Sequence, residues 1–99
     1  MNSNNDVLKV CELVSQLDSK DDVCKFLYEM LSESEISLLT KRWRILDMLA
    51  QGKTQRDIAK ELNVSLCKVT RGAKILKDSN AVVTKYFIKE KNNEYRFKA

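Results

Sequence analysis

The chain has no histidine and no proline, only two glycines, and a single tryptophan among its 99 residues. Each shortage removes a class of protein. Without histidine, and with no spacing that sets a nucleophile beside a base, nothing is left from which to assemble an active site, so an enzyme is not expected. The three cysteines, Cys11, Cys24 and Cys67, form no CxxC pair. With no histidine to join them they offer no tetrahedral zinc site, and no metal is expected. Their odd, unpaired number points to reduced thiols and a cytoplasmic location rather than a disulfide framework. The absence of proline predicts an almost entirely helical chain. No apolar run is long enough for a signal peptide or a membrane span, so no membrane partner is expected.

What is present is a globular composition, 43% hydrophobic and 32% charged. Ninety-nine residues make one small domain, a size often stabilised by pairing with a second copy. Lys and Arg total 18 against 14 Asp and Glu, a net charge of +4. The distribution says more than the sum. Residues 1–40 contain three lysines, Lys9, Lys20 and Lys25, no arginine, and more acids than bases; from Lys41 onward the chain is strongly basic. The acidic part reads as scaffold and the basic part as a partner surface.

Helical periodicity organises most of the chain. Residues 1–5 are expected to fray. Val7, Val10, Cys11, Val14 and Leu17 then mark a first helix over about 6–17, and Val23, Phe26, Leu27, Met30 and Leu31 a second over about 21–31. Ser32-x-x-Glu35 is a capping box that should open a long third helix ending at Gly52. Ile36, Leu39, Trp43 and Leu46 form one apolar stripe on it, and Leu38, Ile45 and Leu49 another, so it should be central to the fold. Ser79-Asn80 break the chain before a last helix carrying Val82, Val83, Tyr86 and Phe87. The tail at 92–99 lacks helical patterning and is expected to be mobile.

The segment TQRDIAKELNVSLCKVTRG, Thr54 to Gly72, carries the functional signal. Thr54 caps a fourth helix, with Asp57 in its first turn and Ile58, Ala59 and Leu62 facing inward. Asn63 tolerates the left-handed turn, Val64 plugs the space between helices, and Ser65 caps a fifth helix over about 66–77. Two short helices about a tight turn are a helix-turn-helix, the unit that sets a helix in the DNA major groove. Val69, Ala73 and Leu76 face the core. Cys67, Lys68, Thr70, Arg71 and Lys74 occupy the other side, where as a bland alternative Lys68 and Lys74 are only a solvated face. Cys67 and Thr70 suit a thymine methyl or a water-mediated bond, and Lys68 and Arg56 a guanine or a phosphate. The set expected against DNA is Arg56, Leu66, Cys67, Lys68, Thr70, Lys74 and Lys77. Gly72, inside the fifth helix, costs about 1 kcal/mol relative to alanine. Either close helix packing requires it or something flat approaches the backbone there.

Residues 42–77, RWRILDMLAQGKTQRDIAKELNVSLCKVTRGAKILK, resemble the tryptophan operon repressor family. The specific pieces are the arginine-rich start of the third helix, TQRDIAKEL, and the VTRG-x-x-x-LK run. The resemblance extends over about 27–90 and rests on pattern alone in the first helix. It implies an all-α, six-helix protein forming an intertwined homodimer, with 6–52 and 80–91 as the dimerisation core and 54–78 as the DNA-reading head. It implies L-tryptophan as corepressor and double-stranded operator DNA as partner, with no other cofactor. In that reading the indole lies between Arg42 and Arg71, guanidinium planes on an aromatic face. Ser32 is a small hydroxyl residue near the ligand. Backbone carbonyls around Glu29 and Leu31 take its ammonium from the other subunit, and Gly72 leaves room beside the ring. Three departures stand out. Ile75 replaces a serine common in the family, the link from Gly52 to Thr54 is one residue shorter, and the turn lacks the family's glycines. A rival reading is therefore a ligand-independent regulator of the same fold, and a more remote one is a helical dimerisation module that packs against protein.

Overall fold

A computed structural model describes the backbone of residues 3–98 and the side chains of residues 4–91. Six helices follow one another: α1 (Ser3–Ser15), α2 (Lys20–Met30), α3 (Glu33–Ala50), α4 (Gln55–Leu62), α5 (Leu66–Lys77) and α6 (Val82–Lys98). The described residues contain no strand, and the expected all-α, six-helix class is what is found. The chain forms two compact units, one ending at Ser37 and one beginning at Leu38.

In the first unit, α1 begins at Ser3, earlier than the frayed start expected from sequence. It closes with tightened i→i−3 bonds, Gln16 N–H to Leu13 O at 3.1 Å and Leu17 N–H to Val14 O at 3.2 Å. The cap of α2 is Ser19, whose Oγ accepts from Asp22 N–H at 3.1 Å, so the helix starts at Lys20, one residue before the start near 21 expected from periodicity. The capping box forms as spelled. Ser32 N–H donates to Glu35 Oε1 at 2.9 Å, and Glu35 N–H donates to Ser32 Oγ at 3.2 Å. This unit buries little: α2 has no buried residue, and Val7, Leu8, Val10, Leu13 and Val14 of α1 are all exposed.

The second unit has the core. Ile45 and Met48 of α3, Ile58 and Leu62 of α4 and Val69 of α5 are buried together, with Leu49, Ala59 and Val64 packed against them. Ile58 and Val69 are fully inaccessible, and burial of such side chains stabilises by roughly 1.5–3 kcal/mol each. Two left-handed residues set the chain's course between helices. Gly52 (φ +92) ends α3, with Gly52 N–H bonded to Leu49 O at 3.0 Å and Lys53 N–H to Met48 O at 3.1 Å. Asn63 (φ 53) ends α4 with the same pair of bonds, its own N–H to Lys60 O at 3.3 Å and that of Val64 to Ala59 O at 3.0 Å. An ion pair between Lys53 and Glu61, 3.3 Å, spans the joint from α3 to α4.

Helix α6 runs to Lys98, beyond the end near residue 91 expected from apolar patterning. The reason is compositional: lysine, glutamate and arginine are good helix formers, and neither glycine nor proline interrupts the run. Side chains from residue 92 onward, where a mobile tail was expected, lie outside the described residues, as does Ala99 altogether.

Candidate nucleic-acid interface and ligand site

The reading head is α4, the turn and α5, each start capped by a hydroxyl. Thr54 Oγ1 accepts from Asp57 N–H at 3.2 Å, and Ser65 Oγ accepts from Lys68 N–H at 3.4 Å. With Val69 and Gly72 turned inward, α5 presents Leu66, Cys67, Lys68, Thr70, Arg71, Lys74 and Lys77 to solvent. Arg56 on α4 is also exposed. Among the described residues the only ion pair is Lys53–Glu61, and none of these cations is paired with a described carboxylate. Cys67 is an exposed free thiol on the same surface.

Thr70 has partners within the head. Its hydroxyl donates toward Gln55 Oε1 at 3.0 Å and toward Leu66 O at 3.0 Å. Gln55, the first residue of α4, is half-buried. The sequence reading missed it, because the bond joins residues fifteen apart and follows no local spacing.

The residues implied for a ligand fall in both units. In the second, Arg42 and Arg71 are exposed and Ile75 is half-buried. The Ile75 carbonyl accepts from the buried Thr84 hydroxyl at 2.9 Å, which ties α6 to the last turn of α5. Gly72 is buried, and a Cβ there would lie 2.9 Å from Ile45 Cγ2 and 3.3 Å from Leu49 Cδ1. Of its two explanations, close helix packing is therefore present: the glycine lets α5 rest on α3. In the first unit, Ser32 and Glu29 are exposed and Leu31 is half-buried. Helix α2 ends as Leu31 N–H bonds Leu27 O at 2.9 Å, and among the described residues the Glu29 and Leu31 carbonyls accept no hydrogen bond.

A groove of about 820 Å³ lies elsewhere in the second unit, lined by Trp43, Leu49, Leu76, Thr84, Tyr86 and Phe87 among others. None of Arg42, Arg71, Gly72 and Ile75 lines it. Trp43 stacks on Phe87 with centroids 5.0 Å apart and meets Tyr86 edge-on at 5.6 Å. It remains 41% exposed, so this aromatic cluster sits at the margin of the core rather than in its centre.

A capped helix-turn-helix within an all-helical chain is the architecture of helix-turn-helix regulators. Residues 5–91 match the Trp repressor protein family. The chain is 39% identical over 70 residues to a Trp operon repressor homolog of Xylella fastidiosa (strain M23), covering 70% of this chain and 76% of that protein. It is 35% identical over 79 residues to one from Chlamydia trachomatis serovar L2, covering 75% of this chain and 84% of that protein. No solved structure matches it. The chain belongs to the Trp repressor family, a family of transcriptional regulators and not of enzymes. Among the described residues no helix is long and apolar enough to cross a membrane.

Proposed function

We propose that this protein is a cytoplasmic, sequence-specific DNA-binding repressor, acting as a homodimer and using L-tryptophan as corepressor to control genes of tryptophan biosynthesis or uptake. The observation that carries the DNA reading is the exposed face of α5, with Lys68, Arg71, Lys74 and Lys77 paired with no carboxylate among the described residues, on a head whose helix ends are all capped. Lys68, Arg56, Lys74 and Lys77 hold phosphates or guanines, while Leu66, Cys67 and the Thr70 methyl meet base edges. The exposed apolar face of α1 supports self-association, since a stripe of this kind on a small chain calls for a cover.

In the corepressor reading, the indole lies between the guanidinium planes of Arg42 and Arg71, beside Ile75 and the α5 backbone at Gly72. Backbone carbonyls near Glu29 and Leu31 of the second subunit receive its ammonium, and the Ser32 hydroxyl lies near the ligand. Ligand favours the orientation in which two heads meet successive major grooves, about 34 Å apart, and by linkage DNA tightens ligand binding by the same factor. The contact of Gly72 with Ile45 and Leu49 favours a second reading. A head already seated on α3 binds DNA without ligand.

Duplexes selected by the protein from a randomised pool, titrated with and without L-tryptophan at two salt concentrations, decide between them. Steep salt dependence with tryptophan enhancement supports the corepressor reading. Salt-dependent binding indifferent to tryptophan leaves the ligand-independent regulator, and no salt-dependent binding removes both. Arg71→Ala should lower tryptophan response and DNA affinity together, whereas Lys68→Ala should weaken DNA binding alone. An unchanged tryptophan response in Arg71→Ala sinks the ligand site.

A further inference from the structure

We infer that Thr70 serves DNA binding through Gln55, as a positioning residue for a contact that Gln55 itself makes. This rests on the DNA-binding reading above. The Thr70 hydroxyl has one proton and two acceptors at the same distance, Gln55 Oε1 and Leu66 O, each at 3.0 Å. The bond to Leu66 is the back-bond a helical threonine makes to its own preceding turn, and it relates nothing beyond α5. The bond to Gln55 joins the two helices of the head across their exposed side. It also fixes which end of the glutamine amide is held. With Oε1 occupied by Thr70, the Nε2 end carries two donors, and no described residue accepts either of them.

That polarity suits the place. Gln55 is the first residue of α4, beside the cap residue Thr54, and in a docked helix-turn-helix the first helix crosses the DNA backbone. Phosphate oxygens only accept. An amide that offers Nε2 outward forms a hydrogen bond there, and one that offers Oε1 is repelled. When the Thr70 proton goes instead to Leu66 O, Thr70 Oγ1 becomes an acceptor, draws Nε2 inward and turns Oε1 toward the duplex. The position of one hydroxyl proton thus selects between a productive and an unproductive glutamine. Thr70 spends its donor inside the head, which leaves its methyl as the group that faces a base.

The test is a double-mutant cycle on binding to a duplex that the wild-type protein selects from a randomised pool. It uses the full chain as wild type, Thr70→Val, Gln55→Ala and the double variant, with Thr70→Ser as the conservative control. Thr70→Val and Gln55→Ala should each weaken binding about three- to tenfold, and the double variant should bind no worse than Gln55→Ala alone. Thr70→Ser, which keeps the hydroxyl but gives up the methyl that faces a base, should bind more tightly than Thr70→Val and remain coupled to Gln55, and the salt slope should stay unchanged throughout because no cation is removed. Additive losses overturn the inference, since Thr70 then acts independently of Gln55. So does a loss that follows thermal stability and that Thr70→Ser leaves uncorrected, which marks a purely structural strut. Failure of the wild type to select or retain any duplex in a salt-dependent way removes the DNA-binding reading itself, and this inference with it.

Discussion

The two units of this chain have similar helix-forming signals and opposite burial. From Leu38 onward, three helices converge on Ile58 and Val69, both wholly inaccessible, and the turns between them close with paired carbonyl bonds at Gly52 and Asn63. The first unit is just as well capped, at Ser19 and Ser32, yet α2 only half-buries Val23, Phe26 and Leu27, and α1 exposes its apolar stripe. Caps and periodicity therefore specify helices in both places, but only the second unit finds within its own chain the surfaces its apolar residues need. A helix that exposes Val7, Val10 and Val14 is stable in water only against something else.

The largest effect should come from the part that is self-sufficient. Ile58→Ala removes the centre of the buried cluster and should cost about 2–5 kcal/mol in denaturant unfolding. A loss below about 1 kcal/mol would show that the head is less tightly packed than its burial indicates. Gly72→Ala is next. Alanine regains about 1 kcal/mol of helix propensity, but its methyl meets Ile45 Cγ2 at 2.9 Å, and overpacking of a core costs typically about 1–3 kcal/mol. The Ile45 methyl sits on a short, branched side chain that has little room to yield, so net destabilisation is expected. A stabilised variant would mean that the contact between α3 and α5 gives way freely.

The first unit should respond differently. Val10→Glu replaces an exposed apolar group and should change the unfolding free energy of an isolated chain by no more than about 0.5 kcal/mol. If a second copy covers α1, the same change should lower the association constant in sedimentation equilibrium and abolish the dependence of the melting temperature on protein concentration. Unchanged self-association would place the dimer contact elsewhere.

Sequence alone revealed what is local. The Ser32–Glu35 box, the Thr54 and Ser65 caps and the left-handed Asn63 all depend on residues within four positions of one another, and each forms as spelled. Ser19 was equally local and was passed over because the apolar stripe begins later. The extent of α6 went unread because a helix can continue on propensity after its apolar pattern stops. What could not be read was contact at a distance. The packing of Gly72 on Ile45 and the bond from Thr70 to Gln55 follow from how helices cross, which no window of neighbouring residues records. For the same reason the exposed face of α5 was legible, being set by periodicity about Val69, while the partners of its residues were not.

The smallest predicted effect tests the caps that both units share. Glu35 accepts from the Ser32 backbone N–H and lies beside the Ser32 hydroxyl, and these hydrogen bonds hold its carboxyl below the ordinary glutamate value. A carboxyl whose folded pKa is depressed stabilises the fold above its unfolded pKa, and that contribution is lost as pH falls through the folded value. The unfolded value is about 4.3, so the contribution is complete near neutrality and fades in acid below that point. Glu35→Gln keeps a hydrogen-bond acceptor for Ser32 but has no charge to lose. The stability difference between wild type and variant should therefore be constant above about pH 5.5 and shrink as the pH drops toward about 3. Glu35 is fully exposed, so the change will be slight, and NMR titration of its side chain is the sharper measurement. A midpoint at or above the ordinary value would show that the box does not hold in solution, and the start of α3 would then rest on propensity and packing alone.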